Sequence, residues 1–125
     1  MLDGSFYTTQ RFAQPNPTVA EARVELNAAH RIFEGHFPGM PVVPGVCMLL
    51  LIKECLQKAT QRQLTLSEAG NVKFLSVLDP TQHPVVDIRV NFEGSSAGIL
   101  VTEATIHFGA TSFIKLQHAK FTDYA

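Results

Sequence analysis

The chain has 125 residues and a mass of 13.7 kDa, and its 46% hydrophobic content is enough to fill the core of one domain. Ten basic and eleven acidic residues are spread along the sequence and leave a net charge of -1. This balance excludes both the basic surface of a nucleic-acid-binding protein and a polybasic membrane patch. We therefore expect a single domain, residues 1–125, that recognises its partners locally.

The cysteines and the N-terminus indicate the compartment. Cys47 and Cys55 lie eight positions apart in one apolar segment, which on a helix exceeds the Cα separation that a disulfide tolerates. The N-terminal sequence MLDGSFYTTQRF lacks the apolar stretch of a signal peptide, and the longest apolar run, Val46–Ile52, is too short to cross a bilayer. The sequence predicts a soluble, cytoplasmic protein with reduced cysteines.

The first thirty residues predict two strands. FYTTQRFA, residues 6–13, is typical of a short strand, and the prolines of QPNPT predict a loop after it. TVAEARVELN, residues 18–27, alternates apolar and polar side chains throughout, which indicates a strand with one buried face.

From Pro44 the pattern changes to that of a helix. Proline suits a first helical position, and the seven apolar residues that follow Gly45 place apolar side chains on every face. Such a helix must be wrapped by other elements. Charged residues return at Lys53, Glu54 and Lys58, so we expect the C-terminal part of the helix to reach solvent.

The second half predicts three or four strands separated by turns such as DPTQHP and EGSSAG, as in an antiparallel meander. One buried helix with five or six strands indicates an α+β fold in which a curved antiparallel sheet wraps around the helix. The segments are EAGNVKFLSV, PVVDIRVNFE, GILVTEATIHF and TSFIKLQHAKF.

GHFPGMPVVPGV, residues Gly35–Val46, is the most specific motif, with two Pro-Gly pairs six residues apart and His-Phe before the first. It resembles the signature of the 3-hydroxyacyl-acyl-carrier-protein dehydratases of the FabZ/FabA group, whose fold is the hotdog. The likeness extends more weakly over the segment from His30 to Phe121. The N-terminal region departs from the family pattern, because it reaches the first strand without the usual preceding helix.

The resemblance implies that His36 is the general base that removes the proton at C2 of a 3-hydroxyacyl thioester. An imidazole suits this task because its ordinary pKa is about 6.5. Backbone N–H groups of Gly45 and Val46, at the helix start, are expected to bind the thioester carbonyl oxygen. The more ordinary alternative is that His36 only makes hydrogen bonds within a rigid turn. Phe37 and the apolar helix, with Cys47 and Leu50, are expected to line the acyl pocket.

The catalytic acid is the difficulty. By resemblance, an acidic residue fourteen positions after the motif histidine protonates the leaving hydroxyl, but that position is Leu50 here. A positioned acid typically contributes about 10²- to 10⁴-fold in rate. Glu54, one turn further on the same helix face, is the first alternative, although a solvated carboxylate beside Lys53 or paired with Lys58 is the more ordinary interpretation. Cys47 is more typical of a small buried apolar residue.

Three hypotheses about function follow. The leading one is a dehydratase of fatty-acid or related acyl-chain synthesis, acting on an acyl-carrier-protein or coenzyme A thioester. The second is a half-site or non-catalytic thioester-binding subunit, since family sites lie across a subunit interface and a second hotdog chain could supply the acid. The third is a hotdog thioesterase. We expect a homodimer or heterodimer, and no metal or cofactor is implied. The other histidines are expected to be surface or strand residues: His30, His83, His107 and His118.

Overall fold

The computed structural model describes residues 2–34 and 41–123. Within these ranges one antiparallel sheet has the strand order β1-β2-β5-β6-β7-β3, and β4 also pairs with β7. The elements, in chain order, are β1 (Tyr7–Asn16), β2 (Val19–Leu26), a one-turn 3-10 helix (Arg31–Phe33), α1 (Gly45–Thr60), β3 (Leu64–Glu68), β4 (Asn71–Phe74), β5 (Val85–Ser95), β6 (Gly98–Phe108) and β7 (Thr111–Asp123).

The helix α1 lies on one face of the sheet and contacts β2, β3, β5 and β6. From β2 to β3 the sheet order crosses four strand intervals, about 19 Å at the usual spacing, whereas a helix is only about 10 Å wide. The sheet therefore has to curve for both strands to contact α1. The predicted α+β architecture, an antiparallel sheet wrapped around one helix, is confirmed.

Strand alternation sorts the side chains as predicted. Between β2 and β5, Ala22 pairs with Ile88 and both side chains are buried against the helix. The next pair, Arg23 and Asp87, faces outward, and the guanidinium donates to both carboxylate oxygens at 2.8 and 2.9 Å. Burial of the apolar face supplies the main stabilisation of this layer, because each buried methylene contributes about 0.8 kcal/mol.

The strand count differs from the prediction, since the described ranges contain seven strands rather than five or six. The segment EAGNVKFLSV, predicted as one strand, contains β4 but only the last residue of β3, Glu68, and the rest of β3 is a strand that the sequence did not predict. The break between the two strands is at Gly70, whose φ of +62° suits glycine and where a Cβ would lie 2.3 Å from the carbonyl oxygen of Gln117. At the other edge, β1 continues through Pro15 to Asn16, because an edge strand tolerates a residue without an N–H.

The helix begins one residue later than predicted, because Pro44 is its extended N-cap with ψ 149°. The expectation that α1 is wrapped on every face is also wrong for the described chain, since Val46 is 65% exposed. The free cysteines Cys47 and Cys55 are both buried, as expected for unpaired thiols in an apolar segment. Among the described helices, none is long and apolar enough to span a membrane.

Candidate active site

The motif loop is described only at its two ends. Residues 35–40, which include the predicted base His36 and the predicted pocket residue Phe37, lie outside the described residues. The site is therefore built here from the elements that follow the loop: the segment 41–44, the first turn of α1, and the segment after β4.

The end of the motif is fixed to the rest of the fold. Val43 is buried, and its N–H donates to the carbonyl oxygen of Leu78 at 2.8 Å. The carbonyl oxygen of Pro44 accepts from the N–H groups of Cys47 and Met48 at 3.0 and 3.1 Å. Gly45 and Val46 come before Cys47, the first residue whose N–H is bonded in this turn, so their own N–H groups have no acceptor within the helix. The first turn of α1 thus presents two donors at a fixed position.

An apolar groove of about 410 Å³ opens beside this turn. Its walls come from the motif end, the first turns of α1, and the segment that continues from β4. Two of its side chains are largely exposed, Phe74 at 56% and Val77 at 69%. An apolar groove next to backbone donors can hold an apolar ligand that has a polar end. The lining residues are Val42, Val43, Gly45, Met48, Phe74, Leu75, Ser76, Val77 and Leu78.

The predicted pocket residues are only partly brought to this groove. Gly45 lines it, whereas Val46, Cys47 and Leu50 are not among the lining residues. Cys47 is 2% exposed and belongs to the core, and burial raises the pKa of its thiol. Leu50 is half-buried on α1.

Sequence reasoning missed the groove wall from Phe74 to Leu78. The predicted strand EAGNVKFLSV extends to Val77, whereas β4 ends at Phe74. The available signal was the run FLSVL, which does not alternate as a half-buried strand would.

Glu54 lies in a different environment from the one expected. It is 6% exposed, the only charged residue in the described ranges that is buried. Its Oε1 accepts from the Tyr7 hydroxyl at 2.7 Å, and its two oxygens accept from the N–H of Leu2 at 3.1 and 3.0 Å. Lys58 instead contacts Asp3 at 2.6 Å. The interpretation of Glu54 as a solvated carboxylate or a partner of Lys58 is wrong, because the N-terminal segment packs over this part of the helix.

The Glu54 carboxylate is also remote from the groove along the helix. Glu54 lies nine positions after Gly45 and six after Met48, another groove residue on α1, which corresponds to about 14 and 9 Å of helix rise. Glu54 and Tyr7 line a separate polar pocket of about 230 Å³ together with Lys58. Burial and the hydrogen bond to Glu54 raise the pKa of Tyr7, so its hydroxyl stays protonated as a donor.

Three of the four other histidines have local structural contacts, and the fourth, His118, is exposed on a strand. His30 Nδ1 accepts from the N–H of Ile32 at 3.1 Å and caps the 3-10 helix. The His83 ring lies edge-on to Phe113, with centroids 5.2 Å apart. His107 contacts Thr105, and His118 lies on β7 with φ 57°. In the described part of the chain, no three His, Cys, Asp or Glu side chains lie together as a metal site requires.

Comparison with known proteins identifies the class. Residues 12–107 match the family described as ApeI dehydratase, and the chain belongs to this ApeI-like dehydratase family. The resemblance to hotdog dehydratases of the FabZ/FabA group is thereby confirmed at the level of family. No curated protein matches the sequence significantly.

Solved structures confirm the hotdog fold. The dehydratase heterocomplex ApeI:P from Xenorhabdus doucetiae contains a chain that is 19% identical, with a TM-score of 0.73 over 91% of this chain and 96% of that one. An uncharacterized protein from Erwinia carotovora subsp. atroseptica is 18% identical, with a TM-score of 0.64 over 93% of each chain. A conserved protein from Pseudomonas aeruginosa is 17% identical, with a TM-score of 0.62 over 96% of this chain and 90% of that one.

Proposed function

We propose that this chain is a subunit of a 3-hydroxyacyl-thioester dehydratase, with the substrate carried on an acyl carrier protein or coenzyme A. The observation that carries the proposal is the apolar groove that opens beside the first turn of α1, in a chain of a dehydratase family. The acyl chain occupies the groove. The thioester carbonyl oxygen accepts from the N–H groups of Gly45 and Val46.

In the proposed reaction, His36 removes a proton from C2, and negative charge builds on the carbonyl oxygen at the helix start. The C3–OH bond then breaks, and an acid protonates the departing hydroxide. The products are water and a 2-enoyl thioester. Only protons and water move, so the chemistry requires no redox cofactor.

We propose that the acid comes from a second hotdog subunit. Position 50 is a leucine, and the Glu54 carboxylate is already hydrogen-bonded to Tyr7 and Leu2. Because a second copy of this chain would also carry Leu50, a different chain fits better than a homodimer. The heterocomplex named for the Xenorhabdus structure is a precedent for two-chain assembly in a dehydratase.

An unpaired sheet edge supports docking of a second chain. Strand β4 pairs with β7, and its other edge pairs with no strand in the described part of the chain. Such an edge invites pairing with another strand. Next to it, Phe74, Leu75 and Val77 expose apolar side chains that a partner would cover.

The test is turnover by the chain alone, measured as enoyl product by mass spectrometry with a 3-hydroxyacyl thioester. We expect little product from the wild type and, at protein concentrations where two copies of the chain pair, a gain of about 10²- to 10⁴-fold from Leu50→Glu, because each copy then supplies the acid to the site of the other. Leu49→Glu, at a neighbouring half-buried position on another face of α1, is the matched control and should gain nothing. His36→Ala, placed in the Leu50→Glu background, should abolish the gain.

Two outcomes would redirect the proposal. Wild-type turnover that is lost in Glu54→Gln, while circular dichroism shows the variant still folded, would identify Glu54 as the acid and remove the need for a partner. Binding of the thioester without turnover, both in the wild type and in Leu50→Glu, would favour the second candidate, a thioester-binding subunit without catalysis. The observation that favours this candidate is that no carboxylate is found among the described residues that line the groove.

A further inference from the structure

One wall of the groove, the Phe74 ring, can take its position only because residue 45 is a glycine. A Cβ built on Gly45 would lie 2.7 and 2.8 Å from the Cζ and Cε1 atoms of Phe74. Real Cβ atoms do not approach other carbons this closely, since carbon pairs are most stable at about 3.5–4.0 Å. The Phe74 ring therefore occupies the space that the side chain of any other residue at position 45 would fill.

The backbone on both sides of Phe74 is held in place. Phe74 pairs with Ile114 on β7, and the N–H of Leu75 donates to the carbonyl oxygen of Phe113 at 2.9 Å. The ring is 56% exposed, so its contact with Gly45 leaves the rest of its surface facing the groove and solvent. The backbone of Phe74 is thus held by hydrogen bonds, and its ring forms one side of the groove beside the first turn of α1.

The location of this wall determines which substrate atoms it meets. On the function proposed above, the thioester carbonyl binds the N–H groups of Gly45 and Val46, and the nitrogen of Gly45 is two covalent bonds from the position of the missing Cβ. The substrate carbon next to the carbonyl, C2, then lies beside the Phe74 ring. Carbons further along the acyl chain extend into the groove and away from the Phe74 ring.

We propose that Phe74 is a specificity-determining residue that excludes 3-hydroxyacyl thioesters with a substituent at C2. A methyl branch there has to displace the ring, whereas an unbranched chain passes along its face. One methyl group in an apolar pocket changes selectivity by about 10- to 200-fold. The inference rests on the proposed function, because it takes the carbonyl position from that proposal.

The test measures binding rather than turnover, so that it does not depend on the source of the acid. In the His36→Ala background, calorimetry gives the Kd of two pantetheine thioesters, 3-hydroxybutyryl and 2-methyl-3-hydroxybutyryl. We expect the Kd of the branched probe to be at least about 10-fold higher than that of the unbranched probe. After Phe74→Ala, the two Kd values should differ by less than about threefold. The matched control is Phe108→Ala, which truncates another exposed phenylalanine outside the groove and should leave the ratio unchanged.

A second pair of variants tests the contact itself. Gly45→Ala is compatible with the backbone, because Gly45 is not among the glycines with positive φ, but its Cβ requires the Phe74 ring to shift, and a shift toward the groove narrows it. We expect weaker binding of both probes by Gly45→Ala and recovery for the unbranched probe in Gly45→Ala/Phe74→Ala. If both probes bind and the ratio of their Kd values is unchanged in Phe74→Ala, the proposed role of Phe74 is wrong, but the proposed thioester site stands. If neither probe binds the folded protein, the proposed thioester site fails, and this inference fails with it.

Discussion

Two parts of the helix α1 differ in how far the rest of the chain covers them and pairs their polar groups. The first turn of α1 adjoins a groove where Phe74 is 56% and Val77 69% exposed, and it presents backbone donors without acceptors in the helix. The middle of α1 carries Glu54, which is buried and accepts all its hydrogen bonds from the chain's own N-terminal segment. We infer that the part that leaves apolar surface uncovered is available to a ligand or partner, whereas the part that pairs its charges internally stabilises the fold.

This comparison makes opposite predictions for substitutions in the two parts. Around Glu54, removal of one group leaves a buried partner unsatisfied and lowers the free energy of unfolding. Around the groove, removal of an exposed side chain changes little in stability and acts instead on binding.

The largest effect on stability is expected for Glu54→Ala. The substitution leaves the Tyr7 hydroxyl and the N–H of Leu2 without their acceptor. Each unsatisfied buried group costs about 1–3 kcal/mol, so we expect the free energy of unfolding to fall by about 2–5 kcal/mol in urea titrations. A loss below about 1 kcal/mol would contradict the inference that Glu54 stabilises the fold.

Tyr7→Phe is expected to have the next largest effect. It removes only the hydroxyl that donates to Glu54, and hydrogen bonds to charged groups contribute about 1.5–3 kcal/mol. The same urea titrations should show a loss in this range. In a double-mutant cycle with Glu54→Gln, the two losses should be less than additive; additive losses would mean that the two side chains act independently.

The difference between the two parts also explains what the sequence could predict. Strand β6 has the predicted bounds, Gly98–Phe108, and β2 differs by one residue at each end, because alternation along a strand is a local signal. The burial of Glu54 depends on donors 47 and 52 positions away, and no local pattern encodes that contact.

The groove wall was missed for a similar reason. The contact between Gly45 and Phe74 joins the start of a helix to the end of an edge strand, and these residues lie 29 positions apart in the sequence. Within the motif, the position of Gly45 beside the groove was predictable from the resemblance. The environment of the helix residues after it was not, since it depends on which face of α1 the sheet covers.

The ion pair between Asp3 and Lys58 has a smaller, pH-dependent effect. Burial acts to raise the pKa of Asp3, but hydrogen bonds from Lys58 and Thr9 and the charge of Lys58 outweigh it, and the pKa lies below its ordinary value. A carboxyl with a lowered pKa stabilises the fold above its ordinary pKa of about 3.9, and the contribution is lost as the pH falls through the folded value.

Asp3→Asn measures this contribution. The pair is partly exposed, so we expect a loss of at most about 1 kcal/mol at pH 7 that shrinks as the pH falls below about 4. In the Lys58→Met background the same substitution should change the free energy of unfolding less. An effect of equal size at pH 7 and pH 3 would show that Asp3 acts through packing and not through its charge.

The smallest effect on stability is expected in the groove, for Val77→Ala. This side chain is 69% exposed, and exposed substitutions usually stay within about 0.5 kcal/mol. Val90→Ala removes the same atoms from a fully buried position on β5 and should cost about 1–3 kcal/mol, which makes it the matched control. Measurement at several protein concentrations sharpens the comparison, because only an interface between chains makes apparent stability depend on concentration. A loss in Val77→Ala that grows with protein concentration would mean that another copy of the chain already covers this surface, and the acid would then have to be sought in a homodimer.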